Sequence, residues 1–483
     1  MPLILPGNVA SALPTGFDVA NSCRFNDGDS AKMLKQMGTA TDNKKFTFNC
    51  WLKRCTLGTN QVFAHARTGT SGPYFNMMFG TDDKLRVYGP DKDGGNDFDY
   101  KTTQVLKDVG AWYCITVAFD SSHATAGNRI RMYINGVEVT SFATETNPAE
   151  DVIYVGNYTG YDFGIGANLD NSAYFDGYMA ECVHIDGQQL TPSSFGEFDE
   201  DSPTIWKPID VSGLTFGNNG FYLDFEDSSN LGNDANGGTD LTETNVAATD
   251  QTSDSPTNNF AVINSLHPEH DMTFSEGNTQ IATTTSAWRE VACTIAPNKG
   301  KWYFETKITG ATYNWWVGIV DPSLVVTGNA KFADWLRGYA FSYSGDGATG
   351  ESGSAAETTW ANASMDDVDT NDIVGCAFDL DNNKIYFSVR GDWVYGASDG
   401  SSDPTSGATG TGSFKNLASP YNYTPAFSLH GTGSGAGIAF NSGGSPPYAI
   451  SSANADGNGY GNFEYAVPSG YYALCTKNLA EFG

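Results

Sequence analysis

The carboxylates best spaced for bond cleavage lie in one short acidic run, Glu197-Phe198-Asp199-Glu200-Asp201. Alternating carboxylates on one strand face could attack and protonate a glycosidic bond. This run precedes Ser202-Pro203, however, and it lacks the flanking apolar residues that an inner strand of a concave sheet would need. We therefore expect a solvated acidic loop at a domain end rather than a catalytic pair.

Metal binding by histidines and catalysis by a nucleophilic serine have no better support in the sequence than the acidic run does. The one histidine cluster is His267-Pro268-Glu269-His270, whose proline prevents the helical spacing of a zinc-binding pair. No serine stands in a nucleophile-elbow sequence, and no glycine-rich phosphate loop joins a strand to a helix. The sequence therefore predicts a protein that is not an enzyme.

One glycine-bearing loop offers oxygen ligands for a hard cation. Its candidate ligands are Asp91, Asp93, Asn96 and Asp97. Closely spaced carboxylate and amide oxygens suit calcium, but the loop lacks the distal glutamate of a full EF-hand. An ordinary solvated turn is the simpler interpretation, and calcium is the alternative. No cofactor is expected to be required.

Recognition of a glycan or a protein needs aromatic rings on loops, beside amide and carboxylate groups that form directional hydrogen bonds. Three loop segments supply that mixture, and their candidate ligand-binding residues are Tyr158, Tyr161, Asp162, Phe163, Asn171, Tyr174, Tyr343 and Trp360. Each ring could instead anchor its own loop or fill a subunit interface, and packing is the more frequent role of such a ring.

These loops need a scaffold, and Trp112 to Val139 predicts one built from antiparallel strands. Trp112 to Phe119 is almost wholly apolar, as expected for an inner strand that is covered on both faces. A second strand pair of similar character, Gly375 to Arg390, follows more than two hundred residues later. The sequence therefore predicts two β domains.

Asn135-Gly136 predicts a two-residue hairpin turn. The strand before it alternates, so that its apolar and polar side chains should lie on opposite faces. The two sets are Ile130, Met132 and Ile134 on one face, and Arg129, Arg131 and Tyr133 on the other. Further along, Thr191 to Glu197 predicts a single helical turn, with Thr191 as its cap and Pro192 in the first position.

The chain of 483 residues exceeds what one hydrophobic core usually holds. We predict an all-β protein of two antiparallel β-sandwich, or jelly-roll, domains at residues 1–205 and 258–483. Residues 206–257 form an acidic Asn/Asp/Gly-rich connector, because no Lys or Arg occurs from Pro208 to Trp288. Phe221 to Phe225 alternates within it, so the connector is either flexible or docked by an edge strand.

Charge excludes two classes of partner. The chain has 26 basic and 56 acidic residues, for a net charge of −30. Such a surface repels phosphate backbones and anionic membranes, so we expect no nucleic-acid partner and no membrane insertion.

The first sixteen residues contain neither a basic segment nor an unbroken apolar run, so they predict no signal peptide and synthesis in a cytoplasm. The eight cysteines are scattered among apolar strand contexts, which predicts buried free thiols.

Five strand motifs of the second domain resemble the SPRY domain in order and spacing. They are Gly300-Lys301-Trp302-Tyr303-Phe304-Glu305, Val317-Gly318-Ile319-Val320, Gly338-Tyr339-Ala340-Phe341, Asp372 to Asp379 and Ile385-Tyr386-Phe387-Ser388. In the first domain, Phe46 to Arg54, Trp112 to Val139 and Tyr174 to Glu181 resemble the concanavalin A-like, laminin-G-like jelly rolls.

The whole arrangement resembles tail-fibre and other virion proteins of tailed bacteriophages, including Ser22 to Ser30, Leu190 to Glu197 and Asp254 to Phe260. The resemblance implies a structural component of the virion, with other virion proteins and further copies of the chain as partners. We expect a tail-fibre adhesin whose sandwich loops bind a host-surface glycan or protein. The alternative is a capsid-decoration or head-fibre protein with a purely structural role.

Overall fold

The computed structural model describes residues 3–6, 16–69, 72–168, 170, 172–267, 271–310, 314–324, 331–332, 337–344, 347–352, 358–360, 368–395, 399–431 and 435–483. The chain divides into two compact units. One comprises residues 13–257, and the other comprises residues 1–12 together with 258–483. Both units are antiparallel β-sandwiches, as the alternation and turn signals predict.

The first sandwich consists of strands β1 to β18 in chain order. They are Ser22–Phe25, Lys32–Gln36, Lys45–Arg54, Gln61–Arg67, Tyr74–Phe79, Lys84–Pro90, Asp97–Val105, Trp112–Asp120, Ile130–Ile134, Val137–Glu138, Phe142–Thr146, Asp162–Ile165, Gly177–Asp186, Gly196–Phe198, Trp206–Pro208, Phe221–Leu223, Thr242–Thr244 and Gln251–Thr252. One sheet has the order β10-β9-β8-β3-β13-β1-β18, with β16 also on β13, and the other has β11-β7-β6-β5-β4-β12-β2-β17. Strands β14 and β15 form a separate hairpin.

A continuous aromatic core lies between these two sheets. Phe46 packs edge-on against Phe75 at 5.1 Å between ring centroids, and it stacks on Phe119 at 5.3 Å. Ile130, Met132 and Ile134 of β9 enter this core, which confirms the face predicted for them. Because β9 alternates, Arg131 and Tyr133 lie on the outer face of the sheet.

The predicted connector is part of the first sandwich, so residues 206–257 are not a separate segment. Strand β16 within it pairs with β13, with Leu223 opposite Cys182. The composition is polar, yet five of its apolar side chains are buried in the core: Phe221, Leu223, Phe225, Leu231 and Leu241. Asp234 accepts a hydrogen bond from the Lys35 ammonium at 3.1 Å in a buried ion pair. Composition alone misses this docking because a few well-placed apolar residues are enough for it.

The end of the same segment covers the outer face of the first sheet. Lys53 and Asp254 form a buried ion pair at 2.7 Å. The Trp112 indole N–H donates to the other carboxylate oxygen of Asp254 at 3.1 Å. Strand β8 is therefore covered on both faces, as its apolar sequence predicts.

The second sandwich consists of β19 to β33 and one short helix, α1. They are Thr273–Ser275, Gln280–Thr283, Trp288–Ala292, Lys301–Ile308, Trp315–Val320, Gly338–Ser344, Gly347–Ser352, Thr358–Trp360, Ile373–Asp379, Lys384–Val389, Asp392–Trp393, Lys415–Asn416, Thr424–His430, Ala436–Asn441, Tyr472–Ala473, and Thr476–Phe482 for α1. One sheet has the order β19-β20-β32-β22-β27-β28-β29, with β30 on β28 and β33 on β22. The other has the order β21-β31-β23-β24-β25-β26.

The beginning of the chain also belongs to the second sandwich. The Ile4 N–H donates to the Thr294 carbonyl at 2.7 Å, and the Ala296 N–H donates to the Ile4 carbonyl at 3.1 Å. Ile4 thereby forms a parallel bridge with Ile295. The predicted first domain, which started at residue 1, is therefore corrected at this end: residues 13–257 are inserted into the second unit.

Among the residues described, none lies in a helix of the length and apolar character that crossing a bilayer requires. All eight cysteines are buried with free thiols.

Candidate functional site

An open groove of about 690 Å³ lies on the first sandwich, at the outer face of β9. Two further elements form its walls, the β14–β15 hairpin and the single helical turn Pro192–Ser194. Its lining residues are Arg131, Tyr133, Gly136, Thr191, Pro192, Ser193, Gly196, Glu197, Phe198, Trp206 and Ile209. Rings, hydroxyls and both signs of charge therefore meet in one concave surface.

The groove floor depends on a tryptophan held between two glycines. Asn135 and Gly136 both have positive φ, 49° and 75°, as a type I′ hairpin turn requires. A Cβ on Gly136 would lie 2.3 Å from the Trp206 ring, and a Cβ on Gly196 would lie 2.5 Å from its Nε1. Only residues without a side chain leave room for the ring at this depth.

Phe198 supplies the exposed aromatic surface of the groove. It lies opposite Trp206 in the hairpin and packs edge-on against that ring at 4.9 Å. Phe198 is 43% exposed, whereas Trp206 is only 8% exposed. Trp206 therefore fixes the position of a phenyl ring that remains open to a ligand.

Arg131 and Tyr133 come from the alternating strand β9. Nε and Nη2 of Arg131 donate to the two carboxylate oxygens of Glu138 at 2.8 and 2.7 Å. The guanidinium also lies 5.7 Å from the centre of the Tyr133 ring. In the part of the chain that the structure describes, Nη1 of Arg131 makes no hydrogen bond and remains available at the groove.

Three further residues contribute hydroxyl groups to the groove, namely Tyr133, Thr191 and Ser193. Tyr133 is 5% exposed, and its hydroxyl has no hydrogen-bond partner among the described residues. Burial raises the pKa of Tyr133, so the phenol stays protonated and can donate. Thr191 and Ser193 share one hydrogen bond of 2.8 Å between their hydroxyls.

The acidic run contributes Glu197 to the groove, but its remaining contacts are those of a turn. Gly196–Phe198 is a strand, whereas a helical turn was predicted to extend to Glu197 and a solvated loop to follow it. The Asp199 carboxylate accepts the backbone N–H of Asp201 at 3.0 Å and of Ser202 at 2.8 Å. Lys207 lies 3.3 Å from Glu197 and 3.7 Å from Asp199. The acidic run thus forms part of the β14–β15 hairpin, and Lys207 neutralises part of its negative charge.

The predicted ligand residues on residues 157–174 lie apart from the groove lining. Tyr158 and Tyr161 are partly buried and pack edge-on at 5.5 Å against each other. Both rings also contact the core, so they anchor their own loop. Asp162 and Tyr174 are partly exposed.

Phe163 is not a ligand residue, because it is fully buried in the core of the sandwich. Its ring packs edge-on against His184 at 4.7 Å and against Phe221 at 5.7 Å. Strand alternation in β12 turns it inward, away from the neighbouring Asp162.

Three other predicted residues fall outside the description. Asn171 is not among the described residues. Tyr343 lies in β24 and Trp360 in β26, but their side chains belong to the undescribed part.

The predicted calcium loop uses its buried carboxylate as a turn cap. Asp91 accepts the backbone N–H groups of Asp93 and Gly95 at 2.9 Å each, and it accepts Nδ2 of Asn96 at 2.5 Å. Within the described chain, no three His, Cys, Asp or Glu side chains converge as a metal site would require. Asp97 is exposed at the end of the loop. Calcium binding here stays a prediction.

The groove itself was missed at the sequence level. Outward-facing Arg131 and Tyr133 were predicted from alternation, but Trp206 and Phe198 lie more than sixty residues further along. One signal was present, since an exposed Phe198 between acidic residues is unusual for a solvated loop.

Comparisons with known proteins agree with the two sandwiches. Residues 26–194 match the family model described as the concanavalin A-like lectin/glucanases superfamily. Residues 301–445 match the SPRY domain model. The chain carries a concanavalin A-like domain followed by a SPRY domain. The groove-forming residues up to Ser193 lie within the first match, and Gly196 to Ile209 lie beyond it.

No curated protein matches this chain. Among solved structures, the SPRY domain of human HERC1 is 10% identical with a TM-score of 0.28, over 37% of this chain and 96% of that one. A protein described as carbohydrate-binding, from Bacteroides ovatus, is 17% identical with a TM-score of 0.33, over 47% and 59%. Domains LG4-5 of the mouse laminin alpha1 chain are 10% identical with a TM-score of 0.30, over 89% and 91%.

Proposed function

We propose that this chain is a non-enzymatic virion protein of the tail-fibre kind, which attaches a bacteriophage to its host by binding a surface glycan in the groove of the first sandwich. The sequence resemblance supports the virion setting, and the lectin-type domain supports a binding role. Other virion proteins and further copies of the chain are its proposed neighbours on the particle.

The groove is the observation that carries the proposal. Sugars present an apolar C–H face that packs on aromatic rings, and hydroxyls that need directional partners. Phe198 offers an exposed ring, while Tyr133, Arg131 and Glu197 offer donors and an acceptor beside it. A volume of about 690 Å³ is within the usual range of small-ligand sites.

The half-buried loop residues give the proposal a second contact region. Tyr158, Tyr161, Asp162 and Tyr174 lie on the first sandwich, where they could contact a longer glycan or a protein receptor. Because Tyr158 and Tyr161 also pack on the core, their replacement would test stability as well as binding.

The test is the binding of labelled protein to a panel of host bacteria, with Phe198→Ala beside the wild type. Val105→Ala is the matched control, because Val105 is 44% exposed on the same sandwich and is absent from the groove lining. We expect saturable binding to a few strains, a loss of about tenfold or more with Phe198→Ala, and no change with the control.

Two results would redirect the proposal. Unchanged binding with Phe198→Ala, or loss of binding after protease treatment of the cells but not after glycan removal, would favour a protein receptor outside the groove. No binding to a strain that the parent virus infects, with a copy number tied to the shell, would favour capsid decoration.

A further inference from the structure

We infer that the groove accepts a neutral pyranose residue and discriminates against sugars that carry a carboxylate, sulfate or phosphate. This inference rests on the proposed glycan binding at the same groove, and it specifies the chemistry of the ligand. It follows from how the charged groups of the groove are already paired.

Arg131 is the one cation among the groove-lining residues of the described chain, and the Nε/Nη2 edge of its guanidinium is occupied by Glu138. Arginine recognises carboxylates and phosphates through two parallel N–H donors. Here Nε and Nη2 make those two bonds with Glu138, at 2.8 and 2.7 Å. Three N–H groups remain, two on Nη1 and one on Nη2, but the positive charge behind them is already paired with Glu138, so an anion gains less here than at a free guanidinium.

The remaining charges of the groove oppose an anion. Glu197 lines it as an exposed carboxylate, and the nearby Lys207 is shared between Glu197 and Asp199. Counting Arg131 and Lys207 against Glu138, Glu197 and Asp199 gives two positive and three negative groups. The whole chain adds a net charge of −30, which repels an approaching polyanion.

The uncharged features of the groove fit a neutral sugar ring. The Phe198 ring can cover a pyranose C–H face. The Tyr133 hydroxyl can donate to one sugar hydroxyl, and the Glu197 carboxylate can accept a hydrogen bond from another. Tyr133 lines the groove with 5% of its surface exposed, and its hydroxyl makes no hydrogen bond among the described residues, so it can bond a hydroxyl of the ligand.

The first test compares two panels by saturation-transfer NMR on the full chain. One panel contains neutral hexose and N-acetylhexosamine oligosaccharides, and the other contains uronate- and sialate-bearing oligosaccharides of the same length. We expect binding within the neutral panel only, with little dependence on salt. Anionic probes that bind as tightly as neutral ones would overturn the inference while leaving glycan binding intact. No binding to either panel would count against the proposed function itself.

The second test releases the guanidinium edge with Glu138→Ala. Glu145→Ala is the matched control, since Glu145 is also an exposed glutamate on an edge strand of the same sandwich and its loss changes the net charge equally. We expect Glu138→Ala to bind anionic probes about tenfold better than Glu145→Ala does. Equal anionic binding by the two variants, at unchanged thermal stability, would show that the Arg131–Glu138 pair does not set the selectivity.

Discussion

Two buried histidines make the first sandwich sensitive to acid. His65 and His184 are fully buried, and burial lowers the pKa of each to about 4. An unfolded histidine takes up a proton near pH 6.5, whereas these two resist protonation until about pH 4. The contribution of these two histidines to the free energy of unfolding is therefore constant above pH 6.5 and falls as the pH drops from 6.5 towards 4.

Replacing one of these histidines should remove its contribution to the loss of stability in acid. His184 stacks on Phe46 at 5.6 Å and on Phe221 at 5.5 Å, so His184→Phe keeps a ring in place. Between pH 7 and pH 4, we expect the change in the free energy of unfolding of the variant to be less unfavourable than that of the wild type by roughly 3 kcal/mol, as measured by urea unfolding at both pH values. His123→Gln, at a partly exposed site, is the control and should leave the loss unchanged.

The Asp91 loop gives a second prediction at this scale. Asp91→Ala removes the acceptor of three N–H donors, so we expect a loss of about 1–2 kcal/mol in stability. The loss should be equal with and without calcium, as measured by thermal unfolding. The exposed Asp93→Ala serves for comparison. A calcium-dependent rise in melting temperature that Asp91→Ala abolishes would instead establish a cation site.

At the scale of elements, the Asn135-Gly136 turn does two things at once. It closes the β9–β10 hairpin, and its glycine makes room for Trp206 from a hairpin far along the chain. A turn chosen for its backbone angles thus also fixes the depth of the groove.

Gly136→Ala should therefore lower the stability by more than the strain of its positive φ alone would. Gly58 has a similar positive φ of 72° and an open surrounding, so Gly58→Ala reports the backbone cost by itself, about 1 kcal/mol. We expect a further 1–3 kcal/mol from Gly136→Ala, because its Cβ would collide with the Trp206 ring. Urea unfolding of both variants measures the difference, and equal losses would mean that Trp206 moves aside freely.

Local patterns predicted the elements well, since turn angles and strand alternation are fixed by neighbours in sequence. The Asn135-Gly136 turn, the faces of β9 and the helical turn that begins at Pro192 were all visible in this way, although the Thr191 side chain makes no cap hydrogen bond. The cover over β9 was not visible, because Trp206 reaches it by a long-range contact that composition does not encode. Docking of Phe221 to Phe225 as an edge strand was one of the two alternatives that alternation left open, and β16 pairs with β13 in the structure.

At the scale of the whole molecule, the first sandwich is an insertion. Residues 1–12 and 258–483 form one unit, and residues 13–257 form the other. Sequence order suggested two domains in succession, because the few residues around Ile4 carry too little pattern to be assigned to a distant partner.

The Ile4 bridge should matter to one unit only. Ile4→Pro removes the N–H that donates to Thr294 at 2.7 Å, so we expect the second sandwich to lose about 1 kcal/mol or more. Calorimetry of the full chain should show its transition shifted down and that of the first sandwich unchanged. Leu5→Ala, which alters an exposed side chain and no backbone group, is the control. A shift in the unfolding transition of the first sandwich would contradict the insertion of residues 13–257 into the second unit.

The Ile4 bridge also bears on how this chain would carry mechanical load. A tension applied at Ile4 and at the end of α1 acts on two points of the same sandwich, as long as the bridge to Ile295 holds. Residues 13–257 lie between these two points along the chain, so a pull between the points loads the second sandwich before it loads the first.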